Sequence, residues 1–218
     1  NKKTLKKSIK KLDNDNILGL PTETVYGLGG NAYSKKSIQK IYNLKGRPKS
    51  NPLIIHYLNL QDASKDIIVN EKLKKLYKQF CPGPITFILK RNQKSKINFL
   101  ASAKLNTIAI RFPKHRVIRS ILKNINFPLA MPSANKSTHV SPVTAYDVFD
   151  EFKKKIQVII DGGKCKVGIE STVIDLTNNP KILRPGVIDE KLKERILDKK
   201  IKKKIMNNKI KSPGMMKK

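Results

Sequence analysis

Ile17-Leu18-Gly19-Leu20-Pro21-Thr22-Glu23-Thr24-Val25-Tyr26-Gly27-Leu28-Gly29 is the stretch that decides the fold. Its first four residues read as a short buried strand, which Pro21 ends because proline has no N–H to give to a sheet. Two hydroxyls and a carboxylate follow, on backbone constrained by Pro21 and loosened by Gly27 and Gly29. Three more segments use Gly, Pro and small hydroxyl residues in the same way. They are Lys45-Gly46-Arg47-Pro48 running on to Asn51-Pro52-Leu53-Ile54-Ile55-His56, Pro132-Ser133-Ala134-Asn135, and Gly168-Ile169-Glu170-Ser171-Thr172-Val173. Apolar runs adjoin each of them, and strand ends are where open α/β sheets hold ligands. The pattern points to an enzyme with a phosphate-handling cleft.

Outward from this stretch, helical and extended patterns alternate. Leu5, Ile9 and Leu12 predict a helix that Asn14-Asp15-Asn16 breaks. Ile38, Ile41 and Leu44 predict another over residues 37–44, halted at Gly46 and Pro48, with a strand following over 53–57. The stripe Leu73, Leu76, Tyr77 and Phe80 predicts a helix over 71–80, stopped by Pro82-Gly83-Pro84 before a strand over 85–89. Strands are further expected at 107–111, 128–131, 158–160, 172–176 and 182–183, and a helix at 117–122. Such interleaving argues for α/β architecture with a helix-covered sheet. Over 190–211 the chain is Lys-rich with Leu192, Ile196, Ile201 and Ile205 at helical spacing, after which Ser212-Pro213-Gly214 reads as the opening of a linker.

At 218 residues the chain is long enough for one well-buried core. A formal charge of +31 attracts polyanions such as nucleic acid, nucleotides or anionic membrane. The lysines recur in every segment without aromatic partners, so a generally Lys-rich surface explains most of them better than a nucleic-acid platform does. Cys81 and Cys165 lack the spacing of a zinc or redox pair and are expected to be free thiols in a reducing compartment. No apolar run is long enough to span a bilayer and the N-terminus lacks the apolar core of a secretory signal, so the cytoplasm is the expected location. The sequence opens at Asn1 without Met, and further residues are expected ahead of it.

The motifs offer chemistry, each beside a plainer reading. Thr22 and Thr24 can fix a small polar ligand, or cap the turn they stand on. Lys45 and Arg47 pair a compact ammonium with a planar fork, a combination suited to phosphate, and Gly46 between them leaves room for close approach. No P-loop is present. His56 reads equally as a ligand contact or a satisfied core histidine. Ser133 and Asn135, with Ser137 and Ser141 nearby, can wrap phosphates or make ordinary turns. Arg111 and Arg184, at strand ends, are anchors for carboxylate or phosphate, or structural ion pairs.

The order and spacing of these segments resemble the YrdC/TsaC-type threonylcarbamoyl-AMP synthases over about residues 5–188, with Pro82-Gly83-Pro84 and Arg184-Pro185-Gly186 among the matching motifs. The resemblance implies a single α/β domain, a twisted mixed β-sheet with flanking helices and a basic concave cleft. It places a catalytic domain at residues 1–206 and, at 207–218, the start of a linker to a second domain absent from this chain. It implies formation of threonylcarbamoyl-AMP and pyrophosphate from L-threonine, bicarbonate and ATP for tRNA threonylcarbamoyladenosine synthesis, with Mg²⁺ arriving on ATP, no metal ligands from side chains, and a downstream threonylcarbamoyl transferase. Carried over by position, Lys45 and Arg47 would be catalytic and hold phosphates, with Asn51, Thr107, Ser133, Asn135, Ser141 and Arg184 completing the ATP site. Thr24, His56, Arg111, Ser171 and the backbone of Met131 would hold threonine. Thr138 stands where the family usually has Gly, Val143 where Thr is usual and Cys81 where Trp is common. The competing class is a basic double-stranded RNA or tRNA binding module without catalysis.

Overall fold

The computed structural model describes residues 2–188 and the pair 202–203. In chain order the elements are α1 (Lys2–Asp13), β1 (Leu18–Leu20), β2 (Gly27–Asn31), α2 (Lys35–Lys45), β3 (Ile54–His56), α3 (Leu60–Ala63), α4 (Glu71–Phe80), β4 (Ile85–Lys90), β5 (Thr107–Arg111), α5 (Arg116–Leu122), β6 (Leu129–Ala130), α6 (Ala145–Phe152), β7 (Thr172–Asp175), β8 (Lys181–Arg184) and β9 (Lys202–Lys203). The strands form one sheet in the order β1-β2-β6-β3-β5-β4-β7-β8-β9. It is mixed, with β3–β5, β4–β7 and β8–β9 parallel and the other neighbours antiparallel.

Side-chain alternation divides the sheet into two faces that do different work. On one, Ile55, Phe87, Ile110 and Ile174 pack with Ile38, Ile41 and Tyr42 of α2 and Leu73 and Leu76 of α4 in the main core. Each fully buried Leu or Ile there contributes on the order of 2 kcal/mol. The opposite face carries Ile54 and His56 of β3, Thr86 and Ile88 of β4, and Ala109 and Arg111 of β5, all in register. Ile54, Ile88, Ala109 and Val173 make a small apolar cluster on that face, beside the polar ends of the strands.

The helices predicted up to residue 122 and most predicted strands agree with the elements formed. The strand expected at 158–160 shrinks to one bridge, Ile159 beside Gly19, because the chain at once turns outward through Asp161-Gly162-Gly163. β2 is a strand where sequence shows only a glycine-rich loop motif. Its glycines are there for space: a Cβ on Gly27 would sit 2.5 Å from Met131 Cγ, and one on Gly30 would sit 2.4 Å from Ser37 Oγ. Lys202–Lys203 lie in the stretch expected to be helical, yet pair with Lys181 and Ile182 along an edge whose N–H and C=O groups would otherwise lack partners. The rest of that stretch, and the linker expected at 207–218, lie outside the described residues.

Candidate active site

α2 delivers the second motif. Ser34 caps its N-terminus by accepting from Ser37 N, and Gly46 ends it in the left-handed conformation at φ +58°. No atom comes within 4 Å of a Cβ built on Gly46, so the requirement for glycine is the backbone angle rather than the close approach that the sequence suggested. The turn sends the two cations apart. Lys45 Nζ is buried and donates to Ser133 O at 2.6 Å and to Asn135 O, tying the helix to the Pro132–Asn135 loop. Burial, then the charge of Arg47, lowers its pKa to about 7. Arg47 instead folds onto Asn51 and Pro52: Nε donates to Asn51 O at 3.1 Å, while Nη2 donates to Asn51 Oδ1 and to Pro52 O at 2.9 Å. Burial lowers its pKa to about 10, so it stays cationic.

A cleft open to solvent lies where β3 and β5 end, and Arg47, His56, Arg111, Met131, Ser133, Ser171 and Arg184 of the predicted site all line it. Thr22, Val25, Tyr26, Gly27, Ile54, Pro132 and Glu170 complete the lining. The remaining predicted residues stand behind or away from it. Asn51 holds Arg47, and Asn135 closes its own loop by donating from Nδ2 to Lys136 O and His139 O. Ser141 Oγ donates to Glu170 Oε1 at 3.0 Å. Thr24 is fully buried against Thr22, whose Oγ1 accepts from the N–H groups of Thr24 and Val25, the geometry of a capped turn. Thr107 begins β5 on the face of Arg111, about 13 Å from it by strand rise.

Two acids that sequence reasoning left without a role organise the cations. Glu23 Oε1 accepts from Arg111 Nη2 at 2.8 Å and its Oε2 from Lys114 N at 2.9 Å. Burial works to raise the Glu23 pKa, but Arg111 and the backbone donors bring it below the ordinary carboxylate value. Glu170 Oε2 pairs with Arg184 Nη1, and Arg184 reaches Ser171 through Nε to its carbonyl and Nη2 to its hydroxyl. The available signal was scarcity: in a chain with 47 Lys and Arg against 16 Asp and Glu, an acid inside a hydroxyl-rich motif stands out.

Two buried polar atoms at the cleft floor have no partner, His56 Nε2 and Arg111 Nε. Burial, then the charge of Arg111, pushes His56 well below its ordinary value, so the ring is neutral at neutral pH. Its Nδ1 lies 3.3 Å from Ile54 O, which assigns the ring proton to Nδ1 and leaves Nε2 as a lone-pair acceptor. Burial raises Cys81 to about 12 and Cys165 to about 11, so both stay thiols. Thr138, where the resembled family usually has Gly, has φ +77°, a conformation that a β-branched residue adopts at a cost.

Fold and cleft together define an α/β domain whose cleft is lined by three arginines. The Sua5/YciO/YrdC family model, described as "Telomere recombination", matches residues 10–186. The chain belongs to that family. A Pyrococcus abyssi protein named threonylcarbamoyl-AMP synthase is 42% identical over 174 residues, covering 78% of this chain and 50% of that protein. A Bacillus subtilis protein of the same name is 39% identical over 183 residues, covering 83% of this chain and 52% of its own length. The chain thus spans about half the length of these curated relatives. The crystal structure of P. abyssi Sua5 complexed with L-threonine superposes with a TM-score of 0.92 at 35% identity, covering 97% of this chain and 63% of that one.

Proposed function

We propose that this domain joins L-threonine, bicarbonate and ATP into threonylcarbamoyl-AMP and pyrophosphate, acting in the cytoplasm as a nucleotidyltransferase ahead of a threonylcarbamoyl transferase that modifies tRNA. The observation that carries the reading is the pair of unpartnered buried atoms, His56 Nε2 and Arg111 Nε, on a floor shared with Arg47 and Arg184. Buried polar atoms without partners are rare, and a ligand is a good reason for them. An amino acid fits: its carboxylate suits Arg111, and its hydroxyl or amine can donate to His56 Nε2. The names of the relatives and the threonine complexed with P. abyssi Sua5 support threonine as that amino acid.

The chemistry asks for positioning more than for a nucleophile. Threonine's amine bonds to the carbon of bicarbonate, which loses water to give a carbamate, and a carbamate oxygen then attacks the α-phosphate as pyrophosphate leaves. Arg47 and Arg184 would neutralise charge developing on the phosphates in a partly dry cleft, where such interactions are strong. Lys45, tied to the Ser133 and Asn135 carbonyls, would position their loop. Mg²⁺ would travel on the triphosphate; among the described residues no group of three or more His, Cys, Asp or Glu side chains could hold a metal ion.

The test is pyrophosphate release from ATP with threonine and bicarbonate, each omitted in turn and repeated at moderate salt. Release should require all three. Release indifferent to threonine would refute the reading. Tight RNA binding that collapses with salt, without any turnover, would favour the binding-module alternative.

A further inference from the structure

Glu170 is the one acid lining the cleft among the described residues, and it stands where a polyanion would be expected to go. Its carboxylate collects the donors that a phosphate would need. Arg184 Nη1 pairs with Oε2, and Ser141 Oγ donates to Oε1 at 3.0 Å. Burial works to raise the Glu170 pKa, but Arg184, the hydroxyls of Ser141 and Ser133, and the charge of Lys45 more than offset this and hold it below its ordinary value. Lys45, Ser133, Ser141 and Arg184 are the same residues that the family resemblance assigns to the nucleotide.

The arrangement is reachable and reversible. The Glu170 and Arg184 side chains are 32% and 17% exposed, so solvent and solutes reach the pair. Arg184 is anchored independently, with Nε on Ser171 O at 3.0 Å and Nη2 on Ser171 Oγ at 3.2 Å, and only Nη1 is committed to the carboxylate. Glu170 can therefore leave while Arg184 keeps its place. A carboxylate and a phosphate oxygen cannot share these donors, because both are acceptors of like charge.

We propose that Glu170 is an internal stand-in for a phosphate: its carboxylate fills the Arg184–Ser141 seat of the empty cleft and is displaced when the nucleotide's phosphates enter. This rests on the nucleotide use proposed above. In the empty cleft it keeps the donors paired and aimed. It also sets a threshold for entry. A polyphosphate carries enough charge to displace it, whereas a singly charged bicarbonate or amino-acid carboxylate does not, and these smaller substrates are thereby kept out of the nucleotide's seat.

The experiment is calorimetric titration of wild type and Glu170→Gln with ATP, inorganic tripolyphosphate and threonine. Gln keeps the size and one acceptor for Ser141 but offers Arg184 no charge. The variant should bind ATP and tripolyphosphate about tenfold more tightly, since a charge-assisted contact no longer has to be broken. Bicarbonate should begin to compete with ATP, and threonine affinity should be unchanged. Weaker polyphosphate binding at unchanged threonine affinity would overturn the proposal, because Glu170 would then be assisting the phosphates. Wild type that binds no ATP would refute the nucleotide reading instead, and tripolyphosphate would still decide this one by the same sign. Should the variant fail to fold, a crystal structure of the wild type with a non-hydrolysable ATP analogue settles it. Arg184 on a phosphate with Glu170 released is expected; an intact Glu170–Arg184 pair would overturn the inference.

Discussion

Replacing Glu23 by Gln removes one charge from a buried pair and leaves Arg111 without compensation. The Glu23 and Arg111 side chains are 11% and 5% exposed and meet at 2.8 Å, so solvent screens the pair little. Among the described residues Arg111 has no second ion-pair partner, and its Nε already lacks a hydrogen-bond partner. Removing one member of a buried pair costs about 3–5 kcal/mol. Gln keeps one acceptor for either Arg111 or Lys114 N and turns an N–H₂ toward the other, which places the loss at about 3 kcal/mol. For a domain of this size that is a fall of roughly 6–12 °C in Tm. Urea unfolding followed by circular dichroism at pH 7.5 measures it. The pH dependence adds a second check. The folded-state pKa of Glu23 lies below the ordinary 4.5, so its stabilisation is complete above that value and is lost as pH falls through the folded one. The gap between wild type and variant should therefore narrow on acidification below pH 4.5. A loss under about 1 kcal/mol, or a gap independent of pH, would refute the account of Arg111 as a cation held ready by Glu23.

Four shorter predictions follow from the same geometry. Arg111→Ala should raise the threonine requirement far more than the ATP requirement, a charged hydrogen bond being worth about 1.5–3 kcal/mol; equal effects in steady-state kinetics would remove Arg111 from the amino-acid site. Thr138→Gly should raise Tm slightly, because relief of about 1–2 kcal/mol of left-handed strain outweighs the entropy that glycine adds, and a lower Tm would contradict this. Gly186→Ala should cost more than a typical surface change, since its Cβ would stand 2.5 Å from Thr172 N and force apart the segments carrying Ser171 and Arg184; unchanged denaturation and pyrophosphate release would count against that. Lys45→Met bears on stability between pH 7 and 10.5. The lysine's folded pKa of about 7 lies below its ordinary 10.5, so the unfolded chain binds more protons across that window and the contribution to stability rises with pH. The variant should lose that rise, and identical pH profiles would contradict the assigned burial.

The glycine of Lys45-Gly46-Arg47 shows how far the residues could be read alone. A Gly between two cations at a helix end was legible as a turn, and it is one. Where the turn sends each cation was not legible, because that depends on Ser133 and Asn135, some ninety positions away, and on Asn51. β2 was unreadable for a similar reason. Glycine disfavours strands on its own, and only the closeness of Met131, Leu20 and Ser37 makes it the residue that fits there. Thr138 went the other way: its departure from the family pattern pointed to the backbone position that is in fact left-handed.

By itself the sequence determines the alternation of helices and strands, the α/β class, the family through the order of its motifs, and half of the residues that meet in the cleft. These are local properties, carried by hydrophobic period, by proline and glycine, and by spacing along the chain. Only the tertiary structure decides which cations face the cleft and which are consumed within the protein. It alone pairs Glu23 with Arg111 across 88 positions and brings Ser141 to Glu170 across 29, and it leaves His56 Nε2 without a partner. The physical reason is that charge pairing and burial depend on distance in space, and register across β3, β5, β4 and β7 sets those distances where spacing in sequence cannot.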